Sequence, residues 1–308
     1  MSADSCIPPS PFFSVIIPAY NCAGFLREAL QSLRQQTCKD FEVLIADSHS
    51  TDGTASVAKE FPDLACTVFS IDIIGNIAAS RNLAAAHAKA PWLAFLDADD
   101  FWLPEKLAMV KEAIAARPEA VLFCHAEHIF QDGQVFATQH YGPRGPELLS
   151  GLLFGGNAFS TAATVLRRDI FVRVGGFDEN PSMVTAEDYD LWIRACPLGE
   201  SVFLQDVLGC YRLHGGNSSA RLKRHFDATE AVLRKHLLPY RPRHPWAVYR
   251  RMFRFTGRCA LDMARNRHWF QAFQYAVRAL GYAAAMTLSW RPEGRIYPHS
   301  PEECERLP

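Results

Sequence analysis

Several familiar signatures are missing from this 308-residue sequence, and each absence removes a class of function. No stretch of about eighteen uninterrupted apolar residues occurs, so no transmembrane helix is expected. A charged opening segment followed by an unbroken apolar run is also missing, because Pro8, Pro9, Pro11 and Pro18 interrupt it, and no signal peptide is expected. The nine cysteines are scattered without a Cys-x-x-Cys pair. That excludes the usual thiolate metal spacing and fits a reduced, cytoplasmic compartment. No Gly-x-Gly-x-x-Gly follows the first apolar run, and no Gly-x-x-x-x-Gly-Lys-Ser/Thr occurs. A dinucleotide dehydrogenase or a P-loop enzyme is therefore not expected.

Net charge is almost absent, at -1, but it is unevenly spread. From Arg221 to Arg295 there are sixteen Lys and Arg against four Asp and Glu, so the rest of the chain is acidic. A basic region of this kind suits phosphates, in lipid headgroups or nucleic acid. Hydrophobic content of 49% and charged content of 21% are ordinary for a globular chain of one large domain, or one domain with an appendage.

The first hundred residues alternate strand and helix patterns. Apolar runs at Phe13 to Ile17, Phe41 to Ala46, Thr67 to Ile71 and Trp92 to Leu96 read as strands. Helical spacing over Ala23 to Gln36, Gly53 to Glu60 and Asn76 to Lys89 separates them. This order predicts an α/β fold with a Rossmann-like, mostly parallel sheet. Later strands are expected at Val121 to Ile129 and Val135 to Thr138 around an Asp132-Gly133 turn, then at Thr164 to Leu166 and Val202 to Arg212. Helices are expected from about Pro104 to Ala116, at Asp169 to Val174 and at Ala186 to Ala195. Beyond Ser219 the pattern is helical, divided by Pro239, Pro242 and Pro245. A boundary near Ser218 separates a body, 1–218, from a basic, aromatic helical extension, 219–308.

The densest chemical signal is Leu96-Asp97-Ala98-Asp99-Asp100. A short apolar strand runs into three carboxylates, at the sheet edge where open α/β folds bind ligands. Like charges gathered there repel one another unless a cation joins them, and Mg²⁺ or Mn²⁺ prefers such oxygens. The alternative is a solvated acidic turn capping the helix that starts near Pro104. The first two strands also end in polar residues, at Pro18-Ala19-Tyr20-Asn21 and at Asp47-Ser48-His49-Ser50.

Seven segments together resemble the family 2 inverting glycosyltransferases over roughly residues 12 to 220. They are Ser14 to Asn21, Asp47 to Thr54, Ala79 to Asn82, Leu96 to Asp100, Val174 to Asp178, Glu187 to Arg194 and Tyr211 to His214. The resemblance implies a glycosyltransferase A-type fold, a nucleotide-diphosphate sugar donor and a divalent cation, Mn²⁺ or Mg²⁺. It gives the metal and diphosphate role to Asp97 and Asp99, with His214 completing the set. Asp47 would read the nucleobase, Pro18 and Tyr20 would flank it, Asn21 lies in the same loop, and Arg81 would pair with the diphosphate or ribose. Asp188 matches the general base, and Glu187 would position the acceptor. Two departures stand out: Ser48 and His49 occupy positions where the family usually has Asp and Gly. Trp192 lies on the face of Asp188, as a sugar platform or as core. The run Gly215 to Ser219 reads as a lid or as a plain linker.

The implied function is metal-assisted inverting transfer from a UDP- or dTDP-sugar to a hydroxyl of a glycan or lipid-linked sugar. It belongs to polysaccharide and cell-envelope biosynthesis. A non-catalytic nucleotide-sugar-binding or assembly protein is the alternative. A nucleotidyltransferase would need a Gly-rich basic loop where Pro18-Ala19-Tyr20-Asn21 stands. The extension fits a helical hairpin packed on the body, an anionic membrane surface, or both. No recognition motif accompanies its charge, so nucleic acid is not an expected partner.

Overall fold

The computed structural model describes residues 10–143, 147–215 and 221–289. The Gly215 to Ser219 run, apart from Gly215, lies outside them, as do 144–146 and Trp290 onward. The chain divides into two compact units. One comprises Met1–Gly142, Phe159–Glu179 and Arg194–His214; the other comprises Pro143–Ala158, Asn180–Ile193 and Gly215–Pro308.

The first unit opens with the expected alternation. Strands β1 (Phe13–Ala19), β2 (Phe41–Asp47), β3 (Cys66–Ser70) and β4 (Trp92–Phe95) are separated by helices α1 (Ala23–Arg34), α2 (Thr54–Val57) and α3 (Ile77–Ala86). All four strands are parallel, in the spatial order β3-β2-β1-β4. β1, β2 and β4 are buried along their whole length, so their sequences are nearly unbroken apolar runs. Helix α1 buries Leu26, Ala29, Leu30 and Leu33 against this sheet.

Strand β1 does not stop at Pro18, as the sequence suggests; it continues to Ala19, with Pro18 in register with Ala46. The reason lies on the other side of β1. Strand β4 pairs with Phe13 to Ile16 only, so the missing N–H of Pro18 faces no ladder acceptor there.

The sheet then changes character. β5 (Phe101–Trp102), α4 (Lys106–Ala116), β6 (Ala120–Gln131) and β7 (Gln134–Gln139) follow, and later β8 (Thr164–Arg167) and β9 (Glu200–Leu213). β8 joins β4 and β6 antiparallel, β9 runs parallel to β6, and β5 lies antiparallel to β9 at the edge. The β6–β7 hairpin turns at Asp132 and Gly133, both at positive φ, as an Asp-Gly turn requires.

The second unit holds α5 (Leu148–Ser150) and, after α6 (Arg168–Arg173) of the first unit, α7 (Glu187–Ala195) up to Ile193. Its bulk is α8 (Leu222–Leu237), α9 (Pro245–Arg265) and α10 (Trp269–Ser289). Pro245 stands at the first turn of α9, where its absent N–H costs nothing. Helices α9 and α10 form a hairpin closed by Cys259, Met263, Ala272 and Tyr275. Tyr275 donates to Asp227 of α8, and Arg278 bridges Asp227 and Glu230. No described helix is long and apolar enough to cross a membrane.

Gly175 and Gly176 end α6 with φ of 78° and 71°. A Cβ at Gly176 would come within 2.7 Å of Asn82 Oδ1, whereas one at Gly175 would meet nothing within 4 Å. Gly175→Ala therefore pays only for left-handed backbone, about 1–2 kcal/mol. Gly176→Ala should lose roughly a further 1–3 kcal/mol from overpacking. Urea unfolding midpoints of the two variants check this; equal losses would contradict the close approach.

Candidate functional site

Loops at the carboxyl ends of β1 and β2 lock together. Asn21, at φ 44°, accepts the Thr51 N–H at 2.8 Å and donates its own N–H to Ser50 Oγ at 2.8 Å. Asp52 caps α1 through Ala23 N–H at 3.0 Å and caps α2 through Thr54 N–H at 3.0 Å. His49 lies at φ 61°, in the region glycine enters freely. Its ring faces Asp72 at 3.2 Å, and the Ser48 and Ser80 hydroxyls meet at 2.7 Å.

Asp47 is buried at the end of β2. One oxygen accepts the Ser50 N–H at 3.1 Å; the other, Oδ1, is buried with no hydrogen-bond partner among the described residues. Tyr20 stands half exposed just after Pro18 and Ala19, which are buried and in register with Ala46 and Asp47.

The acidic turn after β4 is held from two directions. Arg81, buried on α3, reaches Asp97 Oδ1 at 2.5 Å and lies 5.3 Å from the Phe177 ring. From β9, the Arg212 N–H donates to Asp100 at 2.8 Å and its Nε to the Asp99 carbonyl at 2.9 Å. The same guanidinium binds Glu28 at 2.6 Å and lies 5.2 Å from the rings of both Phe25 and Phe101. His214 follows on the same strand's exit, with Nε2 2.8 Å from Asp99 Oδ2 and its ring against Phe25.

Burial, with Asp97 close by, pushes the Asp99 carboxyl up. Burial raises that of Asp100 much further, and Asp99 adds to it. Ionised carboxylates crowded into low dielectric are costly unless a cation joins them. The donor set of Asp97, Asp99 and His214 therefore fits a hard divalent ion. Each now meets a protein partner, and among the described residues no three metal-binding groups converge on one point.

A buried polar layer lies beside this turn. Glu127 on β6 accepts the Tyr141 hydroxyl at 2.9 Å, and burial raises its carboxyl to about 7. Lys106 Nζ sits 3.0 Å from the centroid of Trp102, and burial drives its ammonium well below the usual lysine range. Burial takes His125 down to about 3. None of these residues, nor the clamp by Arg212, is evident from local pattern. The available signal is His125 and Glu127 at i and i+2 in the apolar first part of the strand, a spacing that places both on one face of a regular strand.

In the second unit, Asp188 Oδ1 accepts the Tyr189 N–H at 2.7 Å and Oδ2 accepts from Asn157 at 3.3 Å. Glu187 is buried and accepts the Thr185 N–H at 2.7 Å, bracing a residue at φ 89°. Asp190, one turn on, is fully buried between Lys235 and His236, each at 2.7 Å. Trp192 is fully buried, so it is core rather than a sugar platform. Asn82, on α3, ties down the segment around Phe177 through three hydrogen bonds, one of them to Glu179.

Known proteins resemble this chain in sequence and in fold. The model of "Glycosyl transferase family 2" matches residues 14–175. The amylovoran biosynthesis glycosyltransferase AmsB of Erwinia amylovora is 32% identical over 65% of this chain and 69% of its own. The Escherichia coli UDP-Glc:alpha-D-GlcNAc-diphosphoundecaprenol beta-1,3-glucosyltransferase WfaP is 27% identical over 67% of this chain and 79% of its own. Among solved structures, S. aureus TarS 1-349 in complex with UDP-GlcNAc superposes with a TM-score of 0.58 at 17% identity, covering 88% of this chain and 91% of that one. The chain spans two thirds or less of several curated relatives, from 66% down to 22% of their length. The glycosyltransferase A-type fold implied by the motifs is thus the fold observed. With the family model matched over more than half its length, the chain belongs to glycosyl transferase family 2.

Proposed function

We propose that the chain is an inverting glycosyltransferase that moves a sugar from a UDP- or dTDP-sugar to a hydroxyl of a glycan or glycolipid in polysaccharide biosynthesis. The observation that carries this reading is the acidic turn Asp97 to Asp100 at the end of β4, with Asp97 and Asp99 partly buried, Asp100 buried, and Arg212 fastening it. Asp47 supports it: a buried carboxylate oxygen without a protein partner suits the N–H on the edge of uracil or thymine. Tyr20 offers an aromatic face for that base, with Pro18 and Asn21 shaping the loop. The names of WfaP and TarS add a UDP-sugar donor as the expectation for this chain.

In the reaction the acceptor oxygen attacks the anomeric carbon as the bond from that carbon to the diphosphate oxygen breaks. The configuration inverts in this single displacement. The hydroxyl proton goes to a carboxylate, and the family resemblance gives that role to Asp188. Glu187 braces the start of its helix and so holds Asp188 in place for the acceptor. Asp97 and Asp99, with His214 beside them, would hold Mn²⁺ or Mg²⁺, which when bound neutralises charge on the departing diphosphate. Arg81 supplies a second positive charge to the same region once the turn accepts the donor. The arginine-rich second unit supports attachment at the inner face of the cell membrane, where a lipid-linked acceptor would be found.

Two outcomes are expected. UDP with Mn²⁺ should raise the melting temperature of the wild type more than UDP alone, and Asp99→Ala should lose that difference. Equal stabilisation of the variant would remove the metal role. Asp188→Asn should keep donor binding by calorimetry and lose about 10²–10⁴-fold in transfer rate. Transfer at the wild-type rate would place the base elsewhere.

A further inference from the structure

The hairpin of the second unit leaves two unlike stripes in solvent. On α10, Trp269, Phe270, Phe273 and Leu280 are 67 to 70% exposed, and Leu288 is 89% exposed. Steps of three and four residues link Phe270, Phe273, Val277 and Leu280 along one face, while Ala272, Tyr275 and Ala279 are buried. A continuous apolar stripe on a surface marks a contact that the chain's own core does not supply.

On α9 the exposed positions recur at the same spacing, but they are Arg250, Arg254, Arg258, Leu261 and Arg265. Arg258 and Arg265 lie 3.5 and 3.4 Å from Asp262, a single carboxylate for two guanidiniums. At the turn of the hairpin, a cavity of about 710 Å³ is lined by Arg221, Lys223, Arg224 and His268, with Asp227 the one acid in its wall among the described residues. Lys223 and Arg278 already pair with that acid. Trp269 and Phe270 follow His268 directly, so the basic cavity and the apolar stripe adjoin in sequence.

We propose that this hairpin seats the chain on an anionic lipid bilayer. The apolar stripe of α10 enters the boundary between headgroups and acyl chains, and the arginines of α9 and the basic cavity meet lipid phosphates. This deepens the membrane part of the proposed function and rests on it. Charge complementarity selects the occupant. A second copy docked through the apolar stripe would leave the arginines of α9 facing few carboxylates, since Asp262 is the acid that α9 itself offers them. A nucleic acid would leave the aromatic and aliphatic stripe in water.

The test uses the full chain with phosphatidylcholine vesicles, with and without phosphatidylglycerol, in flotation. Wild-type protein should float with the anionic vesicles and only weakly with the neutral ones. Phe270→Glu/Phe273→Glu should lose at least about tenfold in vesicle affinity. Arg254→Glu/Arg258→Glu should lose about tenfold or more on anionic vesicles and become insensitive to salt. Lipids brominated in the acyl chain should quench tryptophan fluorescence of the wild type, a readout that needs no variant. Calorimetry of UDP with Mn²⁺ on the same samples separates this claim from the donor site, since both double variants should bind as the wild type does. Absence of flotation with anionic lipid, unchanged flotation of the phenylalanine variant, or a dimer that this variant dissociates would each overturn the proposal.

Discussion

Holding three aspartates together at the end of a buried strand is the constraint around which the first unit is arranged. Coulomb repulsion and lost hydration both work against Asp97, Asp99 and Asp100, and burial raises the carboxyls of the latter two. Arg212 answers with one residue. It engages Asp100 through its backbone and the Asp99 carbonyl through its guanidinium, while three phenylalanine rings and Glu28 fix the guanidinium in place. Arg81 takes Asp97 from the other side. Strand β9 therefore does more than extend the sheet: it brings the cation and, two residues later, His214 to the acidic turn.

Much of this was legible in the sequence because it depends on local pattern. Buried strands declare themselves as apolar runs, and β1, β2 and β4 lie close to where those runs placed them. The polar residues that end them mark the ligand edge of an open sheet. What stayed hidden depends on pairings between distant residues. Arg212 and Asp100 are 112 residues apart, and nothing near either one announces the other. The two-residue β5 has no periodicity to detect, and it exists only because β9 lies alongside it. Lys106 reads as an ordinary helix-surface lysine until the fold buries it over Trp102.

Positions that depart from the family pattern gain physical meaning from the backbone. His49 adopts a left-handed conformation where glycine would be free of strain, and its ring is turned toward Asp72. Ser48 hydrogen-bonds to Ser80 where a carboxylate is usual in the resembled pattern, so that position adds no second negative charge beside Asp47. Glu187 and Asp190 show the same economy in the second unit, one bracing a strained turn and the other neutralised between Lys235 and His236. Asp188, between them, is the acid of this helix that sits half-buried instead of being sealed in.

The central claim is that the turn past Leu96 binds a divalent cation together with a nucleoside diphosphate. Anomalous diffraction from crystals grown with Mn²⁺ and UDP tests it most directly. The account predicts a manganese peak in direct contact with the Asp99 carboxylate and with diphosphate oxygens, with uracil against Asp47. Bound UDP with no manganese peak at Asp99, or manganese ligated elsewhere while Asp99 keeps its contact with His214, would contradict it.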